Sequence, residues 1–358
     1  MAIKTKCMAT AIGSFPHIEA GKALDIVFDS LPDAPLWPQL PKRSLNEQME
    51  IQFSEGMPRA VIDREKGRLY FDTSGDYSEE FAVFYESYMA AVEPAGGSRD
   101  YSALAIGPDF ARGLFGFEGR LQAAGKRYPF VKLQTTGPCS FALTIVDENK
   151  RAIFYNEEFR DVVVKALAMK CGWQIQKFRQ YAEKVVCFID EPILSAFGSS
   201  TYISVKRDEV VALIAEVARA IHAEDALAGV HCCGNTDWTI LIDAGVDLIN
   251  FDAFSYGESI ALYPDVLAGF VSGGGLIAWG IVPTSQAVRE QSIDSLMGRL
   301  TGILDNLCIK ARIDRRQVLE QSLLTPSCGT GSLAESDSET VFSLLKDLSP
   351  HARSVFQL

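Results

Sequence analysis

The chain has 358 residues, 47% apolar and 22% charged, enough aliphatic and aromatic material for one large core or two ordinary ones. A formal charge of -12 and a pI near 4.9 argue against nucleic acid or an anionic membrane as partner, since both require basic patches. No signal-peptide-like apolar run opens the sequence, no segment reaches the roughly 18 apolar residues of a membrane span, and eight unevenly spaced cysteines suit a reducing cytoplasm better than a disulfide framework.

Short apolar runs bounded by Gly, Pro or polar turns predict strands at residues 8–16, 34–40, 130–138, 185–192, 227–234, 246–254, 275–283 and 322–329. Helical periodicity fills much of the space between them, as at 156–184 and 206–224. Strand–helix alternation demands parallel pairing, and eight repeats predict an α/β fold of the (β/α)8 TIM-barrel class. A doubly wound open sheet is the alternative, but no GxGxxG opens a helix after the first strand. Residues 41–129 read as an insertion after the second strand. Two alternating runs around a Lys-Gly turn predict a β-hairpin at about 58–73, and helical segments follow at 78–92 and 109–125. No Pro-, Gly- or Ser-rich linker divides the chain, so residues 1–358 are expected to form one decorated barrel domain.

Unusual residues collect at the C-terminal ends of these strands, where barrel enzymes assemble their sites. The first strand ends in Gly13-Ser14, the fourth in Asp190-Glu191-Pro192 and the fifth in His231-Cys232-Cys233-Gly234. The sixth ends in Asp252 and the eighth in Ser327-Cys328-Gly329. His231 and Cys233, two apart on a strand, point the same way, and Cys232 points to the opposite face as packing. With Cys328 as a third ligand and Asp252 offering an oxygen, the set describes a zinc site. The competing reading makes the cysteines small buried hydrophobes. Asp190 suits a substrate ammonium or general-base work, although a strand-end acid, Asp190 or Glu191, also caps a following segment. Backbone N–H groups around Gly13 and Ser14 suit a carboxylate or phosphate, or are ordinary turn chemistry.

Taken together, "IGSFP", "DEP", His-x-Cys, an acid at the next strand end and a late "PSCG" resemble the catalytic barrel of cobalamin-independent methionine synthase. The likeness runs in order over nearly the whole chain, motif by motif. The wider superfamily includes zinc methyltransferases that work with methylated corrinoid proteins, which "HCCGNT" resembles, and uroporphyrinogen decarboxylase, which lacks a thiolate zinc site. The resemblance implies zinc ligation by His231, Cys233 and Cys328, with Asp252 where the family has a glutamate. It implies that Asp190 holds the amino group of homocysteine and that the Gly13-Ser14 stretch holds its carboxylate. The family's HGE-type motif is absent, and Glu47, in "RSLNEQMEIQF", is the candidate second acid. The implied activity is methyl transfer to the thiol of homocysteine, giving methionine. Because the chain matches only the catalytic barrel of full-size synthases, the implied donor is a methylcorrinoid, free or protein-bound, rather than folate. Three alternatives stay open: transfer to another thiol such as coenzyme M, chemistry of the uroporphyrinogen decarboxylase kind, and a zinc-stabilised binding scaffold.

Overall fold

The computed structural model describes residues 3–93, 97 and 99–358; residues 94–96 and 98 of the 41–129 stretch lie outside the described residues. Its strands are β1 (Met8–Ala9), β2 (Ala60–Asp63), β3 (Arg68–Phe71), β4 (Tyr128–Thr136), β5 (Val146–Asp147), β6 (Ala182–Asp190), β7 (Leu227–Cys232), β8 (Leu248–Phe251), β9 (Leu276–Val282) and β10 (Ser322–Pro326). Seven of them form one curled, all-parallel sheet in the order β1-β10-β9-β8-β7-β6-β4. Parallel neighbours require crossovers, and helices such as Glu157–Phe178 and Arg207–His222 supply them. No described helix is long and apolar enough to cross a membrane.

Eight strands were expected, and residues 34–40 are where the count departs. They make no strand, only two isolated bridges: Ser14 with Gln39, just past β1, and Leu36 with Lys132 in β4. Backbone bonds run from Gln39 N to Gly13 O (2.8 Å), Phe15 N to Gln39 O (2.9 Å) and Lys132 N to Pro35 O (2.9 Å). The segment thus touches both edges of the seven-stranded sheet. Pro35 and Pro38 carry no N–H, so two positions of the segment cannot donate to a ladder, which works against a regular strand there. Trp37 anchors the segment: fully buried, its indole donates to Gln174 Oε1 at 3.0 Å.

The predicted hairpin forms, with Ala60 opposite Phe71 and Asp63 opposite Arg68. A third short strand, β5, adds to β3 in parallel, which the local pattern did not announce. Helices Ser78–Val92 and Arg112–Ala124 stand where helical periodicity placed them.

Register sets the chemistry of the sheet's two faces. Thr136, Asp190, His231, Asn250 and Ala278 are successive Cα partners across β4, β6, β7, β8 and β9. Side chains in register across a parallel sheet share a face. Lower on that face, Met8, Phe130, Val186, Phe188, Leu227, Leu248, Leu276 and Leu323 make a compact apolar cluster that includes no helix residue, which marks it as the interior of the curl. The larger cluster joins alternate strand residues, among them Val230, Cys232 and Phe251, to the helices outside. The interior is therefore oily at the N-terminal end of the strands and polar at the C-terminal end.

Candidate metal centre at the C-terminal ends of the strands

β7 ends at Cys232, whose buried thiol joins the outer core, and the chain then bends to present Cys233 beside His231. β10 ends at Pro326, and the turn after it carries Cys328. His231, Cys233 and Cys328 each offer a ligand atom, and the three atoms lie within 4.8 Å of one another. Among the described residues this is the group of three or more such side chains close enough to share an ion. Gly329, next to Cys328, lets that turn pack against Ser14, since a Cβ on it would stand 2.0 Å from Ser14 Oγ. At Gly13, φ is +148°, a conformation L side chains rarely adopt, and a Cβ there would press on the Gln134 amide at 2.9 Å.

The donor set fits a thiophilic divalent ion, since one imidazole and two sulfurs are the ligands zinc takes. His231 is 2% exposed, its Nδ1 lies 2.6 Å from Asn250 Oδ1, and its Nε2 has no hydrogen-bond partner. A buried ring nitrogen left without a partner is costly unless something else satisfies it. The nearby Cys328 thiol, and after it the His231 ring, holds the Cys233 thiol well below its ordinary range, while the Cys233 sulfur together with burial pushes Cys328 up. A thiolate is thus already favoured at Cys233, the form a metal binds.

Asp252 lies outside the three-residue group and caps a one-turn helix, Ala253–Tyr256, by accepting from Ser255 N at 2.8 Å. Burial raises its pKa, while that capping bond and the nearby His231 oppose the rise.

The two acids of "DEP" separate cleanly. Glu191 is fully buried and accepts from Cys139 N (2.8 Å), Ser140 N (2.7 Å) and Ser140 Oγ (2.7 Å), which makes it the cap of helix Pro138–Thr144. Burial pushes it up to about 7 despite those bonds. Asp190 is also buried, but its Oδ1 has no partner. Burial raises its pKa too, with Lys132 the strongest opposing influence. Glu47 follows the same pattern as Asp190. Its Oε1 accepts from Arg43 Nη1 (2.7 Å) and Arg112 N (2.9 Å), whereas the buried Oε2 has no partner.

A cavity of about 310 Å³ unites these groups: Ser14, Glu47 and Asp190 line it together with His231, Cys233 and Cys328. No lysine or arginine lines it, nor do Gly13 and Asp252. Gly13 contributes the turn that places Ser14, whose Oγ accepts from Gly331 N at 3.4 Å. A larger hollow of about 590 Å³, between residues 253–259 and helix Ile293–Ala311, has Glu258 and Arg299 as its charged residues and no cluster of metal-ligating side chains.

Two interior residues escaped the sequence reading. Asn250 ties His231 to the next strands, and fully buried Lys132 donates to Ile12 O and to Gln134 Oε1 (3.0 Å), its pKa lowered by burial to about 8. The available signal was a polar residue inside an apolar strand, in "LINF" and "FVKLQ".

No family model matches the chain, and no curated protein matches it. Among solved structures it is similar to a methyltransferase from Methanosarcina mazei, at 11% identity and a TM-score of 0.50, over 96% of this chain and 94% of that one. It is also similar to a B12-independent methionine synthase from Shewanella sp. W3-18-1, at 14% identity and a TM-score of 0.43, over 67% of each chain. A pneumococcal exo-β-D-N-acetylglucosaminidase, StrH, aligns at 13% identity and a TM-score of 0.42, over 97% of this chain and 83% of that one. The first likeness, over nearly the full length of both chains, bears on the fold and on the fold alone.

Proposed function

We propose that the chain is a zinc-dependent methyltransferase that moves a methyl group to the thiol of homocysteine, giving methionine, with a methylcorrinoid as donor. The observation that carries this reading is one cavity wall that combines a His/Cys/Cys ligand set with two carboxylates, Asp190 and Glu47, each holding an unpartnered oxygen. His231, Cys233 and Cys328 would hold the ion, with Asp252 as an oxygen donor reached by a turn of its side chain away from Ser255. Two thiolates and a neutral imidazole leave zinc little residual charge, so when bound it would ionise an incoming thiol yet leave electron density on sulfur.

The chain's own groups do the rest. Asp190 and Glu47 receive the ammonium group of the amino acid, which satisfies both orphan oxygens and offsets two buried negative charges. Ser14, beside Gly329 and Gly331 in the same lining, takes the carboxylate. The volume lies at the lower end of small-molecule sites, roughly 300–1,000 Å³, which favours a compact acceptor. Anchored at both ends, the acceptor turns its sulfur toward Cys233 and Cys328. The sulfur forms a bond to the donor's methyl carbon as the donor–carbon bond breaks, and the thiol proton leaves to solvent.

The lining also weighs against the alternatives. A sulfonate-bearing thiol such as coenzyme M would meet two carboxylates and no lysine or arginine. A tetrapyrrole with many carboxylates would meet the same obstacle. The deciding experiment combines metal analysis of wild type and Cys328→Ser with a methyl-transfer assay that uses methylcobalamin. Stoichiometric zinc in wild type, its loss in the variant, and homocysteine preferred over coenzyme M are expected. Wild type that binds zinc but methylates no homocysteine with any corrinoid donor would refute the reading.

A further inference from the structure

We infer that Asn250 is a positioning residue that decides which ring nitrogen of His231 carries the proton, and therefore which one is free for a ligand. A chain of contacts to His231 starts at a backbone carbonyl. Asn250 is fully buried in β8, between Ile249 and Phe251, where an amide is costly unless all its bonds are made. Its Nδ2 lies 2.9 Å from Ala278 O and 2.8 Å from Thr325 Oγ1. A carbonyl oxygen only accepts, so the nitrogen of the amide must face Ala278. That orientation leaves Oδ1 facing His231 Nδ1 at 2.6 Å. An amide oxygen also only accepts, so Nδ1 must be the donor. A neutral imidazole has one proton, and with it on Nδ1 the lone pair falls to Nε2, the nitrogen that has no partner in the structure.

The reverse arrangement fails at both ends. A flipped amide would set Oδ1 against the Ala278 carbonyl and forfeit both donations. His231 would then carry an N–H on Nε2, buried and without an acceptor. The β7–β8 register makes the observed arrangement rigid, because His231 and Asn250 are Cα partners and Asn250 and Ala278 are the next pair. One side chain thus couples the candidate ligand to β9 and β10, an outer partner of the sort that orients metal-bound histidines. The purpose of this device rests on the zinc reading; the proton's position does not.

Four histidines make the test tractable. Imidazole nitrogen spectra of metal-free wild type at basic pH, with His231 assigned by His231→Gln, should show Nδ1 protonated and Nε2 bare. A proton on Nε2 would overturn the inference without recourse to any variant. Asn250→Leu, which removes the acceptor, should lose the Nδ1 preference and lower zinc affinity by about 10- to 100-fold in chelator competition. Asn250→Asp, which keeps an oxygen opposite Nδ1 and, with its carboxyl protonated, an O–H toward Ala278 O, should restore both readouts, a rescue that a purely structural role would not give. Folded Asn250→Leu with unchanged zinc affinity, or Asn250→Asp as impaired as Asn250→Leu, would count against the positioning role. Should wild type carry the proton on Nδ1 and bind no zinc, the proposed function fails while the proton assignment stands.

Discussion

Asp190 and Glu191 stand side by side at the end of β6, both buried, yet their side chains leave the strand on opposite faces. Glu191 spends its oxygens on the cap of helix Pro138–Thr144, whereas Asp190 keeps one free on the cavity wall. Replacing Asp190 by Asn removes a charge, not a shape. If it receives an ammonium, the loss of a charged hydrogen bond of roughly 1.5–3 kcal/mol lowers kcat/KM for homocysteine about ten- to hundredfold, with zinc content unchanged. Steady-state kinetics beside metal analysis check both halves, and a fall in zinc content would move Asp190 to the metal instead. At this scale the sequence was informative wherever the relevant spacing is local. His231 and Cys233 stand two apart at a strand end, a spacing visible in "HCC", although β7 stops at Cys232 and a bend completes the approach. Asn250 matters only because register puts it opposite His231, and no local pattern contains register.

Among the elements, residues 34–40 are the most constrained. Helix Arg112–Ala124 packs so closely that a Cβ on Gly113 would lie 1.9 Å from Pro38 O. Gly→Ala in a helix ordinarily gains about 1 kcal/mol, but forcing a methyl against a backbone oxygen costs roughly 1–3 kcal/mol. The clash wins, so Gly113→Ala should lower Tm in thermal unfolding. Another tie joins the last turn of helix Arg207–His222 to the sheet. His222 Nε2 lies 2.7 Å from Asp247 Oδ2, which also accepts from Ala228 N at 2.8 Å. The bond to Asp247 raises the His222 pKa above 6.5, with burial opposing. A base whose folded value is raised stabilises fully below its unfolded value, and that stabilisation is lost as pH rises through the folded one. His222→Gln should therefore lower Tm more at about pH 6 than at about pH 9, with added salt shrinking the difference because the pair is half exposed. Helix and strand positions were largely legible from periodicity. The missing strand was not anticipated, although Pro35 and Pro38 were in plain view, because an apolar run of that length reads as a strand until its hydrogen bonds are counted.

For the whole molecule, the central feature is the division of the sheet's interior into an apolar end and a polar end. Leu, Phe and Met side chains fill the lower rows, so the polar rows above rest on a packed floor rather than a pore. A ligand that binds only the folded chain adds directly to stability. Free zinc at 100 times its Kd should stabilise by about 2.7 kcal/mol. Wild type should therefore unfold at a higher temperature with zinc than with chelator, while Cys328→Ser should give the same Tm in both. Calorimetry with and without chelator reads this directly, and equal transitions for wild type would deny the ion a place in the folded state.

By itself the sequence determined the alternation of strands and helices, the gathering of unusual residues at strand ends, and the pairing of His231 with Cys233, because each is set by periodicities of two or 3.6 residues along one stretch of chain. Only the tertiary structure decided that Cys328 meets that pair across more than ninety positions, that Glu191 caps while Asp190 faces the cavity, that Asp252 is occupied by Ser255, and that residues 34–40 bridge without forming a strand. The physical reason is that strand register and the curl of a sheet depend on residues far apart in the chain, and neither leaves a mark on the local order of side chains.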